Sequence, residues 1–159
     1  LLPDLPPAAR AAGAAAILRR EADLSDVQRA EMTGAALAVL EDARFAEVFG
    51  PGSRAEVAVA GTAKALPPGL AISGRIDRLV VLDDRVLVVD FKTNRPSPAT
   101  VEAMDPAYVR QMALYAAVLA DIFPGRRIEA AIVWTDGPKL MPVPENLLQE
   151  TLADLRRNG

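Results

Sequence analysis

Residues 79–96, LVVLDDRVLVVDFKTNRP, decide the fold, because two apolar runs flank a tight acidic turn. The runs and the turn at Asp83–Asp84 predict two strands that pair side by side. The second run ends in Asp90, Phe91, Lys92 and Thr93. Side chains two positions apart on a strand project from the same face, roughly 7 Å from each other. The sequence therefore places a carboxylate and an ammonium together at the end of a buried strand.

The composition restricts the chemistry that is available to the chain. Its 159 residues, 51% of them apolar and 25% charged, are enough for one domain with a buried core. The absence of cysteine and histidine excludes a disulfide scaffold, a zinc site, an iron–sulfur cluster and a histidine-based triad. Any metal must therefore have oxygen ligands, which points to Mg²⁺, Mn²⁺ or Ca²⁺.

The charge pattern gives two further indications. A net charge of −3 argues against a basic nucleic-acid coat but leaves a local basic groove open. Only three of the 18 basic residues are lysines, Lys64, Lys92 and Lys139, so each lysine raises the question of what a permanently charged arginine could not do there. There is no signal peptide and no apolar run long enough to cross a bilayer, so we expect a cytoplasmic chain without a membrane partner.

The hydrophobic pattern predicts the order α–α–β–β–β–α–β–α. The predicted helices cover residues 7–20, 24–50, 107–123 and 144–158, and the predicted strands cover residues 55–61, 69–84, 85–93 and 127–137. Three adjacent strands predict an antiparallel meander, and the strand–helix–strand step predicts a crossover to a parallel neighbour. The expected product is an α/β fold with a mixed four-stranded sheet flanked by helices. Residues 1–50 would pack as N-terminal helices on a core of residues 51–159.

The expected strand register predicts a pair of carboxylates. If the hairpin turns at Asp83–Asp84, residues whose numbers add to about 167 lie opposite each other, which sets Asp77 beside Asp90. Two such carboxylates repel unless a cation separates them, and Mg²⁺ prefers these oxygen ligands. Lys92 would then orient a bound water or relay its proton. The alternative is a surface ion pair between Asp90 and Lys92, worth less than about 1 kcal/mol.

Three motifs in this order resemble the RecB-like nucleases, which belong to the PD-(D/E)XK, restriction-endonuclease-like group. They are GRIDRL with Asp77, VVDFKT with Asp90 and Lys92, and QMALY with Gln111 and Tyr115. The resemblance spans roughly residues 54–143. Within the family it is strongest to the C-terminal nuclease domains of AddA-type helicase–nuclease subunits, from the bacterial AddAB double-strand-break repair complexes. The absence of cysteine favours this subunit, since the AddB nuclease carries an iron–sulfur cluster.

The resemblance implies a restriction-endonuclease-like fold and a Mg²⁺-dependent DNA exonuclease that hydrolyses phosphodiester bonds. Asp77, Asp90 and the backbone carbonyl of Phe91 would ligate the Mg²⁺, with Mn²⁺ as an alternative, and Lys92 would position the attacking water. Gln111 and Tyr115, one helical turn apart, would contact DNA or support the metal site; ordinary helix packing is the alternative.

Five further residues are candidates for the same site. Glu56 matches an acidic position that the family often shows on its first strand. Arg75, Arg78, Arg95 and Arg110 flank the motifs in sequence and predict a basic rim for DNA. For all five, an ordinary solvated surface residue is the alternative interpretation.

The resemblance also implies DNA, helicase domains of the same full-length chain and an AddB-type subunit as partners. It implies a metal-ligating histidine on an upstream helix, which this chain lacks. We therefore expect a fragment of a larger helicase–nuclease that cleaves weakly by itself. Two other functions stay open: a catalytically inactive DNA-binding or docking module with this fold, and a structural α/β domain whose charges form ion pairs.

Overall fold

The computed structural model describes residues 2–137 and 139–158, which fold around one mixed sheet. The helices are α1 (Pro7–Leu18), α2 (Asp26–Glu41), α3 (Pro106–Ile122) and α4 (Glu145–Asn158). The strands are β1 (Ser53–Gly61), β2 (Ile72–Val81), β3 (Arg85–Lys92), β4 (Arg127–Trp134) and β5 (Lys139–Val143). Two short 3₁₀ helices cover Leu2–Asp4 and Ala43–Phe45. None of the described helices is both long and apolar enough to cross a membrane.

The sheet has the strand order β1-β2-β3-β4-β5. Strands β1, β2 and β3 form an antiparallel meander, and β4 lies parallel to β3 after the crossover through α3. Both features were predicted from the sequence. In the β2–β3 hairpin, Arg78 lies opposite Val89 and Val81 lies opposite Val86, which is the predicted register.

The prediction of four strands was wrong by one, because residues 139–143 form a fifth strand. Strand β5 pairs antiparallel with β4, from Trp134 opposite Lys139 to Ala130 opposite Val143. It is only five residues long and contains Pro142, which has no N–H for a ladder. Pro142 is exposed and lies at the edge of the sheet, where a proline is tolerated. A short strand interrupted by proline gives little sequence signal.

The second helix is also shorter than predicted. Its N-cap is Ser25, whose hydroxyl accepts a hydrogen bond from the backbone N–H of Gln28. It ends at Glu41, before the predicted stop at Gly50, because Asp42 adopts an extended conformation. The Asp42 carboxylate then caps the following 3₁₀ helix by accepting from the Arg44 N–H.

Apolar side chains cover both faces of the sheet. One cluster joins Val86 and Val88 of β3 to Met112 and Ala113 of α3, all of them buried. The opposite cluster packs Val39, Phe45 and Val48, from the end of α2 and the segment after it, against buried residues of β2, β3 and β4. Helix α3 therefore lies on the sheet face on which the first cluster forms, and it presents its polar residues near the end of β3.

Candidate functional site

The carboxylate of Asp90 is buried at the end of the central strand β3. Only 4% of the residue is exposed, and the four residues before it, Val86–Val89, are buried as well. Desolvation raises the pKa of Asp90, and the negative charge of Asp77 adds to this, although the Lys92 ammonium acts in the opposite direction. The protein therefore holds this carboxylate where its ionised form is disfavoured without a further cation.

Asp77 lies next to Asp90, at the point where the β2–β3 ladder ends. The last bridged pair is Arg78 with Val89, so the next opposed pair would be Asp77 with Asp90. The Asp77 carboxylate instead accepts a hydrogen bond of 2.8 Å from the backbone N–H of Phe91. The Asp77 side chain thus takes the place of a backbone carbonyl as the partner of the Phe91 N–H. This hydrogen bond brings the Asp77 carboxylate to the end of β3.

The strand alternation of β2 is interrupted at this position. On a regular strand, residues three positions apart lie on opposite faces of the sheet. Ile76 and Leu79 nevertheless belong to the same apolar cluster, so the alternation of faces is interrupted between them. The β1–β2 register skips Glu56 and Asp77, which lie between two paired positions, and Glu56 has a positive φ of 54°, which is uncommon for a residue other than glycine. The irregular backbone on both strands therefore coincides with the candidate site.

Lys92 forms an ion pair with Asp90 on the same face of β3. Its Nζ lies 2.6 Å from Asp90 Oδ2, and the two side chains are 17% and 6% exposed. This oxygen is buried and has no partner in hydrogen-bonding geometry, so the contact is an ion pair without a well-directed hydrogen bond. The Lys92 ammonium also donates to Gln111 Oε1 at 3.4 Å.

Helix α3 supplies the polar residues that face this pair. Its N-cap is Asp105, whose carboxylate accepts a hydrogen bond from the Ala107 N–H, and Pro106 is the first helical residue. The Gln111 amide nitrogen donates to Asp90 Oδ1 at 3.4 Å and to the Tyr115 hydroxyl at 3.3 Å. Gln111 therefore links the Asp90–Lys92 pair to the helix.

Tyr115 anchors the same helix to β2. Its hydroxyl donates to the backbone carbonyl of Arg75 at 3.3 Å, and the residue is buried. The contact depends on Gly74, because a Cβ at that position would lie 2.3 Å from the Tyr115 oxygen. The structure thus brings Asp77, Asp90, Lys92, Gln111 and Tyr115 together, as the sequence motifs predicted.

This arrangement agrees with a comparison of the sequence with known families. A sequence profile of the PD-(D/E)XK nuclease superfamily matches residues 3–156. The chain belongs to the PD-(D/E)XK nuclease superfamily. Members of this superfamily generally depend on a divalent metal. Among curated proteins, none matches the chain.

One solved structure supports the same fold. A candidate exonuclease from Eubacterium rectale is similar with a TM-score of 0.59 and 16% identity, over 84% of this chain and 52% of that one. The chain therefore spans about half the length of that protein. The protein SSO0001 is 14% identical over 79% of this chain and 66% of its own, with a TM-score of 0.39. The predicted restriction-endonuclease-like α/β fold is confirmed, with five strands instead of four.

The donor atoms of this PD-(D/E)XK site fit a hard divalent cation. Asp77 and Asp90 contribute carboxylates at neighbouring strand positions, and Asp90 Oδ2 is a buried oxygen without a hydrogen bond. Carboxylates completed by a carbonyl and by water suit Mg²⁺, which keeps several waters in most protein sites. Within residues 2–137 and 139–158, no three acidic side chains converge into a ready-made metal cluster. The chain thus provides a partial ligand set.

Three of the four predicted rim arginines, Arg75, Arg95 and Arg110, are exposed. Arg75 lies beside the predicted Glu56, and its guanidinium is 3.4 Å from that carboxylate, with both side chains largely in solvent. Such a pair contributes little to stability and leaves both groups accessible.

Arg78, the fourth, was wrongly predicted to lie on the rim. It is 7% exposed, stacks over the Phe49 ring at 5.1 Å and donates to the Ser53 hydroxyl. Burial lowers the pKa of Arg78, while the charge of Asp4 acts in the opposite direction. Its partner Phe49 packs against the second apolar cluster, so Arg78 lies on the sheet face opposite to α3 and the Asp90–Lys92 pair.

The motifs missed one residue of this site, Tyr108. The Lys92 Nζ lies over its ring, 4.4 Å from the centroid, and its hydroxyl donates to Asn94 Oδ1 at 3.1 Å. Helical spacing was the available signal, because Tyr108 lies three residues before Gln111 and seven before Tyr115, on one helix face.

Proposed function

We propose that this chain is a Mg²⁺-dependent deoxyribonuclease domain that acts as an exonuclease. The observation that carries the proposal is the buried Asp90 carboxylate, which lies beside Asp77 and is paired at 2.6 Å with Lys92. A carboxylate whose ionised form is disfavoured by burial is costly for a fold, and a divalent cation removes that cost. This favours a catalytic role over a surface ion pair.

Asp77, Asp90 and the Phe91 carbonyl would hold the Mg²⁺, with Mn²⁺ as an alternative. When bound, the cation supplies Lewis-acid chemistry for phosphodiester hydrolysis. The Phe91 ring takes no part in this, since it stacks on Phe49 with centroids 6.3 Å apart. Its N–H orients the Asp77 carboxylate through the 2.8 Å hydrogen bond.

Lys92 would act on the attacking water and on the phosphate. Its ammonium donates hydrogen bonds that orient the water, and its charge stabilises the negative charge that develops on the phosphate oxygens. Gln111 holds this ammonium through Oε1 and the Asp90 carboxylate through its amide nitrogen. One helix residue thus fixes the relative positions of both charged groups.

Exposed arginines would guide the DNA backbone to this site. Arg75, Arg95 and Arg110 are accessible, and guanidinium groups bind phosphate oxygens in a bidentate geometry. Because the net charge is −3, such binding depends on a local rim instead of the charge of the whole chain.

We further propose that the domain works within an AddA-type helicase–nuclease with an AddB-type partner in double-strand-break repair. The motif resemblance supports this context, as does the absence of the cysteines that the AddB nuclease uses for its cluster.

A catalytically inactive DNA-binding module is the second candidate. It is favoured by the observation that no three acidic side chains converge in the described residues, and that Asp77 and Asp90 are already engaged by Phe91 and Lys92. The two candidates differ in whether divalent metal leads to strand cleavage.

Cleavage of linear single- and double-stranded DNA, with Mg²⁺ and with EDTA, tests the proposal. The chain and a version extended upstream are compared with their Asp90→Asn variants, and Asp84→Asn is the control. Asp84 lies in the exposed hairpin turn, where it pairs with Arg85 and Arg127. We expect Mg²⁺-dependent cleavage that falls by about 100-fold or more in Asp90→Asn and is retained in the control. DNA binding without cleavage in any form would support the inactive module.

A further inference from the structure

The Lys92 ammonium has an aromatic partner that the proposed mechanism does not use. Its Nζ lies 4.4 Å from the centroid of the Tyr108 ring, within the distance at which a cation is attracted to a ring face. The ammonium is enclosed by Asp90 Oδ2 at 2.6 Å and Gln111 Oε1 at 3.4 Å as well. The ring is thus one of three groups that determine where this charge lies.

The Tyr108 ring is itself held in place. Its hydroxyl donates to Asn94 Oδ1 at 3.1 Å, two residues after Lys92 on the chain. Its ring packs against Trp134 with centroids 6.1 Å apart and an interplanar angle of 56°. Trp134 is buried and is the register partner of Lys92 across β3 and β4. The ring is therefore fixed to the same strand ends that carry Lys92.

The three partners of Lys92 differ in how they respond to a metal ion. Asp90 is the proposed ligand, and its charge attracts Lys92 less strongly once it is shared with a cation. The Gln111 contact is long and neutral, at 3.4 Å. The ring face has no such dependence, because its attraction for a cation arises from the quadrupole of the π-system.

We propose that Tyr108 is a positioning residue that holds the Lys92 ammonium toward the reacting phosphate when Asp90 is engaged by the metal. This inference rests on the proposed nuclease function. It assigns Tyr108 no contact with substrate and no proton transfer; its effect is exerted through Lys92. An aliphatic side chain at this position would fill the space against Trp134 but would leave the ammonium without that partner.

Two variants separate positioning from packing. Tyr108→Phe keeps the ring and removes only the hydroxyl that contacts Asn94. Tyr108→Met keeps an apolar side chain of adaptable shape against Trp134 and removes the ring face. Thermal unfolding of both variants establishes that they are folded before any other comparison is made.

The first readout is NMR of the lysine side chains, without metal or DNA. The sequence has only Lys64, Lys92 and Lys139, so protein labelled with ¹³C at lysine Cε gives three sets of signals, and Lys92→Arg identifies the one of interest. We expect the Lys92 Hε protons to be shifted upfield by the ring current in the wild type and in Tyr108→Phe. In Tyr108→Met they should move toward the positions of an exposed lysine.

The second readout is single-turnover cleavage by the longest version of the chain that cleaves. We expect a rate about tenfold lower in Tyr108→Met, within about twofold of wild type in Tyr108→Phe, and an unchanged substrate affinity in both. A Lys92 signal that does not move in Tyr108→Met, or an equal loss of rate in both variants, would overturn the role of Tyr108. A clear ring-current shift without any cleavage by the wild type would instead contradict the proposed nuclease function, and with it the catalytic part of this inference.

Discussion

Gly74 of β2 lies directly beneath the hydroxyl of Tyr115 of α3, at a distance that leaves no room for a side chain. A Cβ at residue 74 would be 2.3 Å from that oxygen and 2.9 Å from the nearest ring carbon. The same hydroxyl accepts from Gln111, which contacts both Asp90 and Lys92. A missing side chain on one strand therefore sets the height of the helix that holds the charged pair.

Replacing Gly74 with alanine should displace Tyr115 and disturb Gln111. We expect a loss of about 1–3 kcal/mol in the free energy of unfolding, typical of a side chain forced into a packed site. Urea unfolding measures it. Gly34→Ala is the control, since Gly34 lies within α2 and no atom lies within 4 Å of the position that a Cβ would take there. That change should stabilise the chain by about 0.5–1 kcal/mol, and equal stability of Gly74→Ala and wild type would contradict the account.

Replacing Asp90 with asparagine should stabilise the fold near neutral pH while it removes activity. The folded-state pKa of Asp90 is raised above its ordinary value of 3.8, so the folded chain binds this proton more tightly than the unfolded chain. Stability is therefore lost as pH rises through the interval between the two pKa values, and the loss is absent below the lower one. An asparagine side chain stays neutral, so the variant does not lose this stability as the pH rises.

Urea midpoints of Asp90→Asn and wild type, measured from pH 7 toward pH 4, test this sign. The urea midpoint of Asp90→Asn should exceed that of the wild type most at pH 7, and the difference should become smaller as the pH falls. Asp84→Asn should behave oppositely. Desolvation of Asp84 is outweighed by its hydrogen bonds with Arg127 and Arg85, so the pKa of Asp84 is lowered and its ionised form favours folding. A wild type more stable than Asp90→Asn at pH 7 would contradict the reasoning.

Divalent metal should stabilise the wild-type chain by binding between Asp77 and Asp90. At a metal concentration 100 times the Kd, the gain is about 2.7 kcal/mol. Thermal unfolding at constant ionic strength, with Mg²⁺ or Mn²⁺ added, measures the shift in Tm. Asp77→Asn and Asp90→Asn should show no such shift. If either variant shows a metal-induced Tm shift as large as that of the wild type, the metal binds at another site.

Removing a rim arginine should weaken DNA binding regardless of sequence. Arg110→Gln is expected to lower affinity and to reduce the slope of log affinity against log salt by about 1, since one phosphate contact is lost. Fluorescence anisotropy at several salt concentrations provides the slope. Arg78→Gln is the matched comparison, because Arg78 is buried over Phe49 on the other face. Arg78→Gln should lower the stability of the fold and leave the salt slope unchanged. An unchanged slope for Arg110→Gln would show that Arg110 does not contact DNA.

The hairpin and its charged end could be predicted because they depend on local sequence. The turn at Asp83–Asp84 sets the register, and the register alone places Asp77 next to Asp90. The place of Arg78 could not be predicted in this way, because it depends on packing against Phe49, which precedes the sheet in the chain. The interruption between Ile76 and Leu79 has no local signature, since it involves the backbone of Glu56 on the neighbouring strand.

The remaining features arise from contacts between distant parts of the chain. Strand β5 is stabilised by pairing with β4, which the short segment around Pro142 does not indicate by itself. The contact of Lys92 with Tyr108 requires α3 to cross the end of β3 at one particular height. That height depends on Gly74 and Tyr115, and helical spacing specifies only which α3 residues share a face.

The most direct test of the central claim is Mg²⁺-dependent cleavage of end-labelled linear DNA by Lys92→Gln and Lys64→Gln, in the chain extended upstream. Both variants remove one lysine charge, but only Lys92 is paired with Asp90, whereas Lys64 is exposed. We expect Lys64→Gln to cleave at the wild-type rate and Lys92→Gln to lose about 100-fold or more in rate. Equal rates for the two variants would contradict a nuclease site built on Asp77, Asp90 and Lys92.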